Sequence, residues 1–272
     1  MPFATTRNPA YVPHQKEVFK LSRSKIELFM QCQRCFWLDA RLKIKRPSSP
    51  PFNINKAIDE LLKKEFDSYR AKAKPHPIMT SNKLSAIPFE HEDLNKWRAN
   101  FTGVGYLDKA TNLYIYGAVD DVWIDGDELI VVDYKATAKN SEVNLDSDWQ
   151  IGYKRQMEIY QWLLRKNGFK VSDTGYFLYT NARMDVDEFS DQLVFNTKLI
   201  PYIGKDKWVN GVIKKMKATL DSDDLPPIGL AVMGGDCEFC MYAKARTSLT
   251  IDEISKIDAG LKKNIVSAIS KL

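Results

Sequence analysis

Asp133 and Lys135 stand two residues apart at the end of the apolar run Leu129–Val132, and Asp120 closes the preceding apolar run. Side chains two apart on a strand point to one face, so the carboxylate and the ammonium of this pair share a side. Ending a buried strand on two charges is costly unless they pair or bind something. Two carboxylates can hold a hard divalent cation that polarises a phosphate and acidifies a bound water. A neighbouring lysine can orient that water or offset charge growing on the phosphate oxygens. On spacing alone, a solvated salt bridge in a hairpin fits these residues equally well.

A second group is formed by the cysteines. Cys32 and Cys35 make one CxxC pair, and Cys237 and Cys240 make another roughly two hundred residues later. In a reducing compartment two such pairs point to metal ligation more than to disulfides. Four thiolates suit tetrahedral zinc or an iron–sulfur cluster, and the spacing slightly favours zinc. Either would fasten the C-terminal segment to the first helix.

These groups need elements to place them. A helix is expected from Ser22 or Ser24 through Leu42, and a second over 55–74, ending before Pro75. Residues 112–124 and 128–137 read as two strands joined by Asp125-Gly126-Asp127, a hairpin signal. A long amphipathic helix is expected over about 149–167, strands at 175–180 and 192–199, and a helix near 205–220. The run Thr250–Glu253 reads as a capping box opening a last helix. Residues 1–20 read as a poorly ordered or extended arm.

On the helix after the hairpin, Gln156 and Tyr160 are four apart and share a face. The ordered series Gly117-Ala118-Val119-Asp120, Asp133-Tyr134-Lys135 and Gln156-x3-Tyr160 resembles the GxxD, DxK and QxxxY motifs of RecB-family nucleases in the PD-(D/E)xK superfamily. It is most similar to the CRISPR-associated RecB-like exonucleases. Ser22-Arg23-Ser24 with Cys32-Gln33-Arg34-Cys35-Phe36 resembles the opening motif of the same group, and the likeness spans about residues 21–246.

The resemblance implies an α/β, restriction-endonuclease-like fold, with a central mixed sheet flanked by helices and a cysteine-bound cap joining the N- and C-terminal segments. It divides the chain into an arm (1–20), a nuclease domain with the cap (21–247) and a C-terminal amphipathic helix (248–272). Asp120 and Asp133 become ligands of Mg²⁺ or Mn²⁺, Lys135 the catalytic lysine, and Gln156 and Tyr160 residues that bind nucleic acid or brace the site. Relatives carry a metal-binding histidine where this chain has Asp59, which becomes a third ligand. They also hold a [4Fe–4S] cluster with one N-terminal and three C-terminal cysteines. Here the partition is two and two, with Zn²⁺ as the alternative.

The implied activity is metal-dependent hydrolysis of DNA, from an end and on single-stranded or frayed substrate, with protein partners in repair, CRISPR or defence systems. The rival is a non-catalytic nucleic-acid-binding or assembly subunit on the same fold. The charge balance, 40 Lys plus Arg against 35 Asp plus Glu, is only mildly basic. The segment Arg41–Arg46, with Lys154 and Arg155, offers a path for a phosphate backbone, and Phe36, Trp37 and Trp149 are candidates for stacking. His14, His76 and His91 show no ligand spacing, and the latter two read as surface residues. No P-loop, GxSxG or dinucleotide fingerprint occurs. The N-terminus lacks an apolar h-region and no run approaches the roughly 18 apolar residues of a membrane span, so a cytoplasmic protein is expected.

Overall fold

The computed structural model describes residues 9–48, 50, 52–230 and 234–256. In chain order the elements are β1 (Phe19–Ser22), α1 (Arg23–Gln31), α2 (Gln33–Leu42), α3 (Asn53–Arg70), α4 (Pro77–Ser81), β2 (Ile87–Pro88), α5 (Leu94–Trp97), β3 (Val104–Asp108), β4 (Leu113–Gly117), β5 (Asp121–Asp125), β6 (Glu128–Thr137), α6 (Ile151–Lys166), β7 (Thr174–Ala182), β8 (Phe195–Ile203), α7 (Val209–Asp221) and α8 (Glu238–Lys256).

The main sheet has the order β2-β5-β6-β7-β8, with β6 and β7 parallel and the other neighbours antiparallel. A mixed sheet of this kind with helices on both faces is the architecture expected from sequence. Its central strand, β6, is apolar on both sides. Leu129 and Val131 enter the core shared with α1 and α6, while Ile130 and Val132 pack with Phe66 of α3 and Met79 of α4. This explains why Leu129–Val132 lacks the alternation of a half-exposed strand. From Gln156 to Leu164, α6 is buried all round, wedged between the main sheet and a smaller sheet of order β1-β4-β3.

Several elements differ from the sequence reading. The expected strand over 112–124 is two strands in two sheets. At Val119 the backbone N–H bonds to Trp97 O (3.1 Å) instead of to a neighbouring strand, so Ala118–Asp120 cross between the sheets. The tight turn at Gly126 (φ 60°) is as expected. The expected first helix breaks at Cys32, which is extended (φ −157°, ψ 108°). Phe19 and Lys20, the end of the expected arm (1–20), are extended and open β1, which runs parallel to β4 with Phe19 and Leu21 buried. The Thr250–Glu253 run lies inside α8 and does not start a helix. The expected continuation beyond Lys256 falls outside the described residues. None of the described helices is long and apolar enough to cross a membrane.

Candidate functional site

β6 carries Asp133 and Lys135 on the face turned to α6, two residues beyond Val131. Asp133 is fully buried. Lys135 Nζ pairs with its Oδ2, and Gln156 Nε2 donates to its Oδ1 at 2.7 Å. The same Gln156 amide donates to Tyr160 OH at 3.1 Å. One turn of α6 therefore presents both motif side chains to the carboxylate, as their four-residue spacing requires. Lys135 Nζ also lies 4.6 Å from the centre of the Tyr153 ring, a contact the sequence reading missed. Tyr153 is one turn before Met157 on the same helix, so helical periodicity offered that signal.

Asp120 stands in the crossover between β4 and β5, one residue before the strand where the sequence reading put it. Its Oδ2 accepts the N–H of Tyr134 at 2.9 Å. β5 starts at Asp121, paired with Val132, so Tyr134 has no opposite residue on β5 and Asp120 caps its free donor. Burial and the charge of Asp133 push the Asp120 carboxyl up to about 7. Burial works against the Lys135 ammonium, but Asp133 and Asp120 outweigh it and hold its pKa above the ordinary value. Burial likewise raises the Tyr160 phenol. A carboxyl raised by burial and by a neighbouring carboxylate belongs to a donor set whose crowded charge a hard cation would relieve.

The adjacent Asp121 has a different role. It is fully buried and bonded to Arg70, Arg98 (2.6 Å) and Tyr134 OH (2.9 Å), on the opposite face of the sheet. Of the twin aspartates, Asp120 faces the Asp133–Lys135 pair and Asp121 anchors α3 and the Arg98 turn to the sheet. Gly117 makes room for this arrangement: a Cβ there would lie 2.7 Å from Tyr160 Cε1 and 3.2 Å from Arg23 Cβ. The glycine of the GxxD series thus lets Tyr160 reach Gln156.

Asp59 does not join Asp120 and Asp133 in one ligand group. Among the described residues, the group of three or more His, Cys, Asp or Glu side chains gathered closely enough to hold an ion is that of the four cysteines. Asp59 is pulled to Lys63, 2.6 Å away one turn along α3. It still feels the acids: burial and the Asp120 charge raise its pKa. Asp59, Lys135, Tyr153 and Asn55 bound a cavity of about 230 Å³. A cleft of about 660 Å³ between α1, the start of α6 and residues 227–230 is lined by none of Asp120, Asp133 and Lys135.

The expected phosphate path over Arg41–Arg46 is largely occupied. Arg41 donates to Leu220 O and Ser222 O and pairs with Asp223, while Arg46 bonds to Gln31 and the Cys237 sulfur. Arg155 pairs with Glu27 at 3.1 Å. Phe36 and Trp37 are core residues, whereas Trp149 is 43 % exposed. The two histidines read as surface residues are stacked instead, His76 on Phe66 (4.3 Å) and His91 on Trp97 (4.4 Å).

The cysteines do converge. Sγ–Sγ distances are 3.8 Å for Cys32–Cys240, 3.7 Å for Cys35–Cys237 and 3.5 Å for Cys35–Cys240. Cys32, Cys35 and Cys237 are buried and Cys240 half-buried. The break at Cys32 makes this possible, since it turns the Sγ back to accept the Cys35 N–H that opens α2. Gly229 N–H also donates to Cys32 Sγ at 3.2 Å. A Cβ on Gly229 would lie 2.3 Å from Gln31 O and 2.4 Å from Cys32 Cα, so only glycine fits. Burial raises the Cys32 thiol, but these N–H donors bring it down to about 7.

Residues 53–245 match the family model of the PD-(D/E)XK nuclease superfamily. The chain belongs to that superfamily. Its members are usually metal-dependent nucleases, and Asp120, Asp133 and Lys135 all lie in the part of the chain that matches. Cys32 and Cys35 precede the matched region, whereas Cys237 and Cys240 lie within it. Among solved structures, one described as "Crystal structure of SSO0001" is similar over 78 % of this chain and 81 % of that chain, at 16 % identity and a TM-score of 0.36. No curated protein matches the sequence.

Proposed function

We propose that this PD-(D/E)XK nuclease hydrolyses DNA phosphodiester bonds at the Asp120–Asp133–Lys135 site, acting as an exonuclease of the RecB-like type. The observation that carries the reading is the bond between Gln156 and Asp133, which joins two motifs distant in sequence around one carboxylate beside Lys135. A structural salt bridge alone would not need a buried glutamine and tyrosine to aim it.

Asp120 and Asp133 would be the oxygen donors for Mg²⁺ or Mn²⁺, with Asp59, now paired with Lys63, as the third. When bound, such a cation polarises the scissile phosphate and lowers the pKa of water. Gln156 fixes the rotamer of Asp133, and Tyr160 in turn holds Gln156. The backbone N–H of Tyr134 fixes Asp120. Lys135 stays protonated between the acids and places an ammonium where charge grows on the phosphate oxygens. Tyr153 limits its swing from the other side.

A single strand is the favoured substrate. The cavity at Lys135 shares Asn55, Ile58 and Ala136 with a groove of about 460 Å³ whose walls include Ile54, Met184, Leu193 and Phe195. Unpaired bases have apolar faces for such walls, while a duplex buries them. The biological setting implied by the motif likeness is repair, CRISPR or defence.

The test is digestion of end-labelled single- and double-stranded DNA with Mg²⁺ or Mn²⁺, beside Asp133→Ala. Metal-dependent shortening of the single strand that Asp133→Ala loses is the expected result. DNA binding without cleavage by metal-loaded protein would instead favour a non-catalytic subunit on the nuclease fold.

A further inference from the structure

The likeness to RecB-type nucleases implies a [4Fe–4S] cluster at the four cysteines, and the sulfur spacing can be compared with that group directly. A single ion with Zn–S bonds of about 2.3 Å and tetrahedral angles places its thiolates about 3.8 Å apart. Three of the pairs here are 3.5, 3.7 and 3.8 Å apart, and all four sulfurs lie within 4.8 Å of one another. In a cubane each cysteine binds a different iron and points away from the cluster centre. Its four thiolates therefore stand farther apart than the irons do, around a core of eight atoms. Sulfurs this close enclose room for one ion and none for a cubane.

We propose that Cys32, Cys35, Cys237 and Cys240 bind a single tetrahedral zinc ion, in place of the iron–sulfur cluster of the RecB-type relatives. The surroundings fit that charge. Four thiolates on one divalent ion carry two net negative charges, which a buried site must offset with donors. Gly229 N–H and Cys35 N–H point at Cys32 Sγ. The Arg46 guanidinium donates to Cys237 Sγ at 3.3 Å and stacks over Phe239 at 4.6 Å. The two-plus-two partition has the same origin. Each CxxC sits at the start of a helix, α2 or α8, so each pair reaches the ion as a rigid two-thiolate unit. The centre ties α2 to α8 without electron transfer.

The experiment is elemental and acid-labile sulfide analysis of the full chain, purified anaerobically from cells supplied with both iron and zinc. One zinc per chain with no sulfide is the expected result. Replacing the ion with cobalt should then give the visible spectrum of tetrahedral cobalt thiolate. About four irons and four sulfides per chain would overturn the proposal, as would a folded chain carrying neither metal. The readout is independent of DNA cleavage, so it stands apart from the test of the nuclease site.

Discussion

Gln156 Nε2 lies 2.7 Å from Asp133 Oδ1 and 3.1 Å from Tyr160 OH, so one amide group links the carboxylate of β6 to the phenol one turn further along α6. Through these two bonds Gln156 acts as a positioning residue for Asp133. Gln156→Ala should lower activity about 10–100-fold, the range for partners that orient a metal ligand. The loss should appear as a higher metal concentration at half-maximal rate, with thermal stability little changed. An unchanged metal dependence would remove the positioning role.

Asp120 and Asp121 are neighbours in sequence with opposite duties, and exchanging each for asparagine separates them. Asp121→Asn takes the buried carboxylate from Arg70 and Arg98, whose side chains are 3 % and 7 % exposed, and leaves them only the half-exposed Asp67. Breaking a buried pair from one side costs about 3–5 kcal/mol. Denaturant unfolding should show that loss. Asp120→Asn removes one of two like charges held side by side and should keep or raise stability while abolishing metal-dependent cleavage. The same stability loss in both variants would erase the distinction.

Gly117→Ala tests the space that the glycine leaves. The new methyl would sit 2.7 Å from Tyr160 Cε1, and both neighbours are held by packed elements. Overpacking of this kind costs about 1–3 kcal/mol. The ring is the more mobile partner, so cleavage should fall as Tyr160 leaves Gln156. A variant with wild-type unfolding and wild-type cleavage would show that the ring moves without consequence.

The same residues show how much could be read before the structure. The Asp133–Lys135 strand, the Gln156–Tyr160 face and the hairpin at Gly126 were legible because period-2 and period-3.6 patterns fix which side chains share a face. The crossover at Ala118–Asp120 was not, because an apolar run of that length does not reveal that its two halves pair in different sheets. The break at Cys32 was hidden for a related reason. Helical periodicity continues through it, and only the thiol's role as a cap favours an extended backbone there. The use of Arg41 and Arg46 at Leu220, Ser222 and Cys237 depends on contacts across most of the chain, which spacing cannot show.

Tyr11 ties the N-terminal segment to α7. Its hydroxyl donates to Asp221 Oδ1 at 2.6 Å, His14 N–H donates to the same oxygen at 2.8 Å, and Lys217 Nζ lies 3.0 Å from Oδ2. Burial opposes the charged form of Asp221, but these donors outweigh it and its pKa is lowered. A depressed carboxylate adds stability above its unfolded pKa of about 3.9 and loses it as pH falls through the folded value. The melting temperature of Asp221→Asn should therefore lie below that of the wild type at pH 7. The gap should narrow below about pH 4. A gap that stays constant into acid would mean that the carboxylate charge contributes nothing.

Asp59 is held 2.6 Å from Lys63, yet its pKa is raised by burial and by Asp120, so its charge acts on the same site. Asp59→Asn should weaken binding of Mg²⁺ or Mn²⁺ about tenfold, at the low end for loss of a supporting group, without ending cleavage at saturating metal. Lys63→Met should do the reverse, because it frees the carboxylate and removes a competing cation. Metal titrations of cleavage by both variants decide the matter. Asp59 is a ligand or its electrostatic equivalent if the half-saturating concentration moves in opposite directions, and a helix-face ion pair if neither moves.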